Sequence, residues 1–193
     1  MPNRLSHAAV SALLALGLLA AAPRGAATTD VAIKTSMGTI VVRLNAAAAP
    51  ATVKNFLHYV DTGAYNGSSF YRTVSRKNEP RSQIEVIQGG LNPQFENPSI
   101  AKIALEPTSK THLRNTDGAI AMARTADPNS ATTEFFIDIG DDHFLDAGGP
   151  TGPGYAVFGK VIRGMDVVRK IQNASASGET LTPNITIATM KRV

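Results

Sequence analysis

With 193 residues, a formal charge of +4 and no cysteine, the chain is long enough for one domain with a sizeable core. The lack of cysteine excludes disulfide staples, thiol nucleophiles and cysteine-ligated zinc. No nucleic-acid partner is expected, because that would demand a concentrated basic face, and the nearest cluster (Arg72, Arg76, Lys77, Arg81) is interrupted by Glu79 and Pro80.

The chain opens on a targeting segment. Arg4 and His7 form a short basic start, residues 8–22 are an apolar run rich in leucine and alanine, and Gly25 and Ala27 are the small residues of a cleavage site before Thr28. The run is shorter than the roughly 18 residues of a membrane span. Residues 1–27 therefore read as a secretory signal peptide that meets a membrane only transiently, during export. Losing Arg4 and Arg24 lowers the formal charge from +4 to +2. Residues 28–193 form the exported domain, periplasmic or secreted, and without cysteines it must stand on its core.

Residues 31–35 and 39–44 are β-rich and flank Met37-Gly38, which predicts a hairpin. Pro50 sits where a helix can begin without needing its N–H. Val53, Phe56, Leu57 and Val60 then recur at helical spacing, predicting an amphipathic helix Pro50–Asp61. Short strands are predicted over 70–74, 84–87, 119–122, 135–139 and 156–161, with a polar loop over 75–82. A second helix over 164–173 and a closing strand over 185–190 complete the order. Many short strands, two helices and no repeating βαβ rhythm predict a mainly β fold, one antiparallel barrel whose closure removes exposed edges.

The chemistry-bearing pieces are Phe70-Tyr71-Arg72, Gln88-Gly89-Gly90, Met122-Ala123-Arg124 and Glu134-Phe135-Phe136-Ile137. Together they offer one permanent cation and one amide beside apolar side chains, which suits a site that binds a peptide and polarises it without covalent chemistry. Strand alternation turns one of Phe135 and Phe136 to the core and the other to the opposite face. His58, His112 and His143 lack metal-ligand spacing, and Asp138, Asp141, Asp142 and Asp146 do not follow a calcium loop. The acids read as a solvated loop, and no metal is expected. Gly148 to Gly154 lacks the ending of a phosphate loop, and no Gly-x-Ser-x-Gly elbow is present.

Taken in order, these segments resemble the cyclophilins, the barrel-shaped family of peptidyl-prolyl cis–trans isomerases. The likeness runs from Pro50-Ala51-Thr52-Val53-Lys54-Asn55-Phe56 to Val157-Phe158-Gly159-Lys160-Val161 and Gly164-Met165. Met122-Ala123-Arg124-Thr125-Ala126 and Gly154-Tyr155-Ala156-Val157-Phe158-Gly159 resemble the exported bacterial branch most. The resemblance implies a closed eight-stranded antiparallel barrel with two capping helices. It also implies rotation of X–Pro bonds in unfolded or loop-exposed polypeptides, assisting the folding of exported proteins without a cofactor; a monomer is expected.

Position by position, the resemblance makes Arg72 the catalytic arginine and Gln88 its support. Ala123 and Arg124 match the pair whose backbone holds the substrate, and Phe136, Phe144 and Leu145 match walls of the proline pocket. Tyr155 stands where many eukaryotic members have histidine and Phe144 where they have tryptophan, which implies weak cyclosporin binding. Three departures stand out. The segment between Arg72 and Gln88 is longer than the compact form. Glu85 falls where a pocket phenylalanine is usual, so Val86 is expected to supply the apolar surface. Glu134 replaces a substrate-contacting glutamine; ionised, it accepts but cannot donate, and it could pair with Arg72. They keep a second reading open, a proline-peptide-binding chaperone with weak or no turnover.

Overall fold

The computed structural model describes residues 28–91, 97 and 99–193; the signal-peptide expectation for residues 1–27 lies outside them. β1 (Thr29–Thr35) and β2 (Gly38–Leu44) form the expected hairpin, paired from Thr29↔Leu44 to Thr35↔Gly38. β3 (Ser68–Val74), β4 (Val86–Gly89), β5 (Ala119–Met122), β6 (Phe135–Asp138), β7 (Val157–Arg163) and β9 (Thr180–Arg192) complete a ring in the order β1-β2-β7-β5-β6-β4-β3-β9, which β9 closes by pairing back onto β1. All pairings are antiparallel, giving the closed eight-stranded barrel; the two-residue β8 (Ala176–Ser177) hangs on β9 outside the ring.

Side chains alternate across each strand, and the inward set is mostly apolar: Val31, Ile33, Val42, Phe70, Ile87, Met122, Phe135 and Ile187 are all buried. α1 (Pro50–Asp61) seals this core with Val53, Phe56, Leu57 and Val60. The Phe56 ring lies 5.0 Å from Phe158 and 5.6 Å, edge-on, from Phe135, a geometry aromatic pairs favour. The free N–H groups at the start of α1 are met by the Glu106 carboxylate, 3.1 Å from Ala51 N and 2.8 Å from Thr52 N, where a negative charge also suits the helix dipole. α2 (Thr108–Thr111) and a 3₁₀ turn (His143–Leu145) are single turns, and α3 (Met165–Gln172) adds Val168 and Ile171 to the core.

The barrel wall from β3 through β7 is apolar on its outer face as well. Val74, Val86, Ala119, Ala121, Phe136, Leu145 and Val157 form a second cluster there, which is what a sheet covered on both sides requires.

Three sequence expectations need correction. β4 begins at Val86 rather than residue 84, because the Glu85 N–H is taken by the Asp142 carboxylate at 3.1 and 3.2 Å. The closing strand is far longer than 185–190, since its polar half needs only backbone pairing with β3 and β8. The acidic stretch is not a solvated loop, for Asp138, Asp142 and Asp146 are buried. Asp146 is satisfied by the Asn115 N–H at 3.0 Å, Asn115 Nδ2 at 2.9 Å and His143 Nδ1 at 3.0 Å, as a buried carboxylate must be.

Candidate active site

Strand register alone gathers the central residues. Arg72 on β3 is directly opposite Gln88 on β4, Gln88 opposite Phe136 on β6, Phe136 opposite Ala121 on β5, and Ala121 opposite Val157 on β7. Directly opposed residues share a face, so this row lies along the outer wall, while Phe135, one residue away, is in the core. Above the row is a cavity of about 110 Å³ lined by Arg72, Ile84, Val86, Gln88, Ala123, Arg124, Phe136, Leu145 and Tyr155. A larger groove of about 750 Å³ lies beside α1, lined in part by Lys54, Asn55, His58, Asn97 and Ile100, and holds none of the residues of the cross-strand row.

The cavity is apolar on one side and cationic on the other. Val86 and Leu145 belong to the second apolar cluster, and Ile84 packs on it. Phe136 meets Tyr155 edge-on at 5.5 Å. The Arg124 guanidinium carbon is 4.5 Å from the Tyr155 ring centroid, while its Nε donates to Gly154 O at 2.9 Å. The Arg124 side chain is thus committed to holding Tyr155. Its backbone N–H and C=O have no hydrogen-bond partner among the described residues, whereas the Ala123 N–H is spent on Glu134 O at 2.8 Å.

Arg72 is clamped from two sides. Its Nη1 donates to Gln88 Oε1 at 2.8 Å and its Nε to Glu179 Oε2 at 2.7 Å. Gln88 Nε2 in turn donates to the Tyr71 hydroxyl at 2.7 Å, and that hydroxyl donates to Glu134 Oε2. An amide has one donor end and one acceptor end, so tying Nε2 to Tyr71 turns Oε1 towards Arg72. Burial, reinforced by the Glu134 hydrogen bond, raises the Tyr71 pKa above its ordinary value, so the phenol stays protonated as this chain requires.

Two residues assigned to the site by resemblance lie one layer behind it. Phe144 packs partly buried against the second cluster without lining the cavity, because the 3₁₀ turn presents Leu145 instead. The Glu134 carboxylate sits against Gly90 and reaches the cavity through Tyr71 and Gln88. The ion pair of Arg72 is with neither Glu85 nor Glu134: Glu85 accepts from Gln172 Nε2 at 2.9 Å and lies 3.9 Å from Arg76. Ile84, Tyr71 and Glu179 were not legible as site residues. Tyr71 adjoins Arg72 in sequence and was the nearest to being found; Glu179 lies 107 residues from Arg72 in a polar turn that carries no motif.

Comparison with known proteins gives the class. The family described as cyclophilin type peptidyl-prolyl cis-trans isomerase matches residues 30–192, and the chain belongs to that family. A peptidyl-prolyl cis-trans isomerase of Acinetobacter baylyi is 41% identical over 175 residues, covering 89% of this chain and 87% of that protein. Peptidyl-prolyl cis-trans isomerase B of Escherichia coli is 41% identical over 147 residues, 75% of this chain and 85% of that protein. The crystal structure of a cyclophilin type isomerase from Cryptosporidium parvum superposes with a TM-score of 0.71 at 22% identity, covering 86% of this chain and 98% of that one. The protein is a peptidyl-prolyl cis–trans isomerase on a cyclophilin barrel.

Proposed function

We propose that the cavity receives the proline ring of an X–Pro bond and that Arg72 polarises the prolyl nitrogen. Rotation is slow because amide resonance must be broken, with an activation energy of roughly 20 kcal/mol. The twisted transition state localises a lone pair on nitrogen. A guanidinium aimed there stabilises the twisted state more than either planar ground state, which is the condition for catalysis. Arginine suits the task because it stays charged and presents a rigid fork. Val86, Phe136 and Leu145 would grip the ring while the free backbone groups of Arg124 hold the neighbouring peptide, so the bond turns between two fixed ends. No side chain has to give or take a proton.

The observation that carries this reading is the cross-strand row placing Arg72 and Gln88 beside Phe136 at one cavity. A crystal structure of the Cryptosporidium relative was determined in the presence of the dipeptide Ala-Pro, which supports a prolyl peptide as the occupant here. Arg72→Ala is expected to lower kcat/KM on an Ala-Pro peptide by about a hundredfold, as for losing one oriented donor at a transition state. Undiminished isomerisation in that variant would remove Arg72 from the mechanism.

Residues 1–27 support an exported site of action, on unfolded or loop-exposed proline-containing chains of exported proteins. A mature N-terminus at Thr28 in the exported fraction is expected; full-length protein confined to the cytoplasm would contradict it.

A further inference from the structure

Arg72 reaches its site from a partly exposed strand, and a long flexible side chain must be held if its fork is to meet a transition state in one orientation. Gln88 fixes one edge through Nη1. Nε is held by Glu179, whose turn is tied to β3 and to the loop after it by further hydrogen bonds. Glu179 stands in the turn between β8 and β9, after Gly178, whose φ of 58° lies in the left-handed region. The Glu179 carbonyl accepts the N–H of Thr73, Arg72's neighbour on β3, at 2.8 Å. Asn78, in the long loop after β3, bridges the same two segments: its Nδ2 donates to Thr73 O at 2.8 Å and to Gly178 O at 2.9 Å, and its Oδ1 accepts the Ser75 N–H at 2.7 Å. The added loop thus braces the turn that presents Glu179.

We infer that Glu179 is a positioning residue for this isomerase, a carboxylate that holds the Arg72 guanidinium through Nε and leaves Nη2 to act on substrate. Among the described residues, two of the five N–H donors of Arg72 are engaged, Nε by Glu179 and one on Nη1 by Gln88. The two engaged groups hold the plane of the fork from different nitrogens, so the carboxylate restrains substrate-free Arg72 without occupying Nη2. Both partners are more than a third exposed, at 36% and 39% of their side-chain surface. Solvent therefore screens their attraction, and Arg72 keeps most of its electrostatic effect on a substrate while gaining a fixed direction. Orientation, not charge neutralisation, is what Glu179 supplies.

This inference rests on Arg72 being the catalytic group. The test is a double-mutant cycle on the full domain, read by isomerisation of an Ala-Pro peptide and by thermal unfolding. Glu179→Ala should lower kcat by about tenfold with KM within about twofold, the pattern of a misdirected group rather than a lost binding contact. Glu179→Gln, which still offers an oxygen to Nε, should restore most of the loss. In the Arg72→Ala background, Glu179→Ala should change nothing further, and Tm should hardly move for any Glu179 variant. Unchanged or faster turnover in Glu179→Ala, with Arg72→Ala inactive, would overturn the inference alone. Equal loss from Glu179→Ala in both backgrounds would overturn it too, since Glu179 would then act without Arg72. Full activity in Arg72→Ala would overturn the mechanism on which it depends.

Discussion

At the scale of single residues, the site is a line of side chains each of which sets the next. Glu134 accepts from Tyr71, Tyr71 accepts from Gln88, Gln88 accepts from Arg72, and Glu179 holds Arg72 through Nε. The sequence pairs Gln88 with Arg72 as its support and sets Glu134 as a competitor for Arg72. The structure places it instead at the start of the line, for a physical reason that a string of residues does not display: Gly90 leaves a space that the carboxylate fills. A Cβ at residue 90 would lie 1.6 Å from Glu134 Oε1 and 2.1 Å from its carboxyl carbon, a clash that forces the carboxylate away from Tyr71. Gly90→Ala is therefore expected to push the tip of the flexible Glu134 side chain aside at a small cost in stability, on the order of 1 kcal/mol, and to lower turnover by loosening Gln88. Denaturant unfolding with a parallel isomerisation assay measures both, and a variant unchanged in each would contradict this placement of Glu134.

At the scale of elements, most of the fold was legible because the inward rows are mostly apolar and α1 carries a clean stripe. Pro50–Asp61 matches the predicted helix residue for residue. What escaped were segments whose partners are remote or polar, namely the first half of β9, the short β8, and the acids of residues 138–146. Those acids tie β4, β6 and the 3₁₀ turn together at the rim of the cavity. Asp138 is wholly buried in β6, opposite Val86, and among the described residues no donor reaches either carboxylate oxygen. Burial, and then its neighbour Asp142, push its pKa well above the ordinary carboxylate value. Asp142, which receives the Glu85 N–H, is pushed up to about 6, chiefly by burial.

The other charges facing this pair are mostly acidic: Asp146, Asp117, Asp141 and Glu85. The nearby cations are occupied elsewhere, Arg114 and His143 with Asp146, Arg169 with Asp117, and Arg76 beside Glu85. A carboxyl whose folded pKa is raised holds its proton after the unfolded chain has lost it. Its effect on stability is nil below about pH 4, and as pH rises through the shifted value it becomes a growing penalty. Stability should therefore fall as pH climbs from about 4 past 6. Asp138→Asn, which can donate to Asp142 without a charge, should flatten that fall and raise Tm at pH 8 by roughly 3–6 °C. Thermal unfolding across pH checks it; an unaltered slope in the variant would show that the pair does not govern it.

At the scale of the whole molecule, a closed barrel supplies a rigid wall whose two faces do different work. The inner face holds Phe56, Phe135 and Phe158 in one aromatic core. The outer face carries the cation, the amide and the apolar floor in register. A chain without cysteines can keep such a site in place because β9 closes the ring on β1 and leaves that side no free edge. The barrel class was readable from strand number and turn chemistry, but the convergence of residues 72, 88, 124, 136 and 155 depends on the ring order, which no local pattern encodes.

The central claim is that Arg72 turns the bond rather than merely binding the peptide. Its most direct test is exchange NMR on a proline peptide titrated with the wild-type domain and with Arg72→Ala. The variant is expected to bind the peptide within about threefold of wild-type affinity while catalysed cis–trans exchange falls by about a hundredfold. Exchange at the wild-type rate in Arg72→Ala, or loss of binding in proportion to loss of exchange, would contradict it.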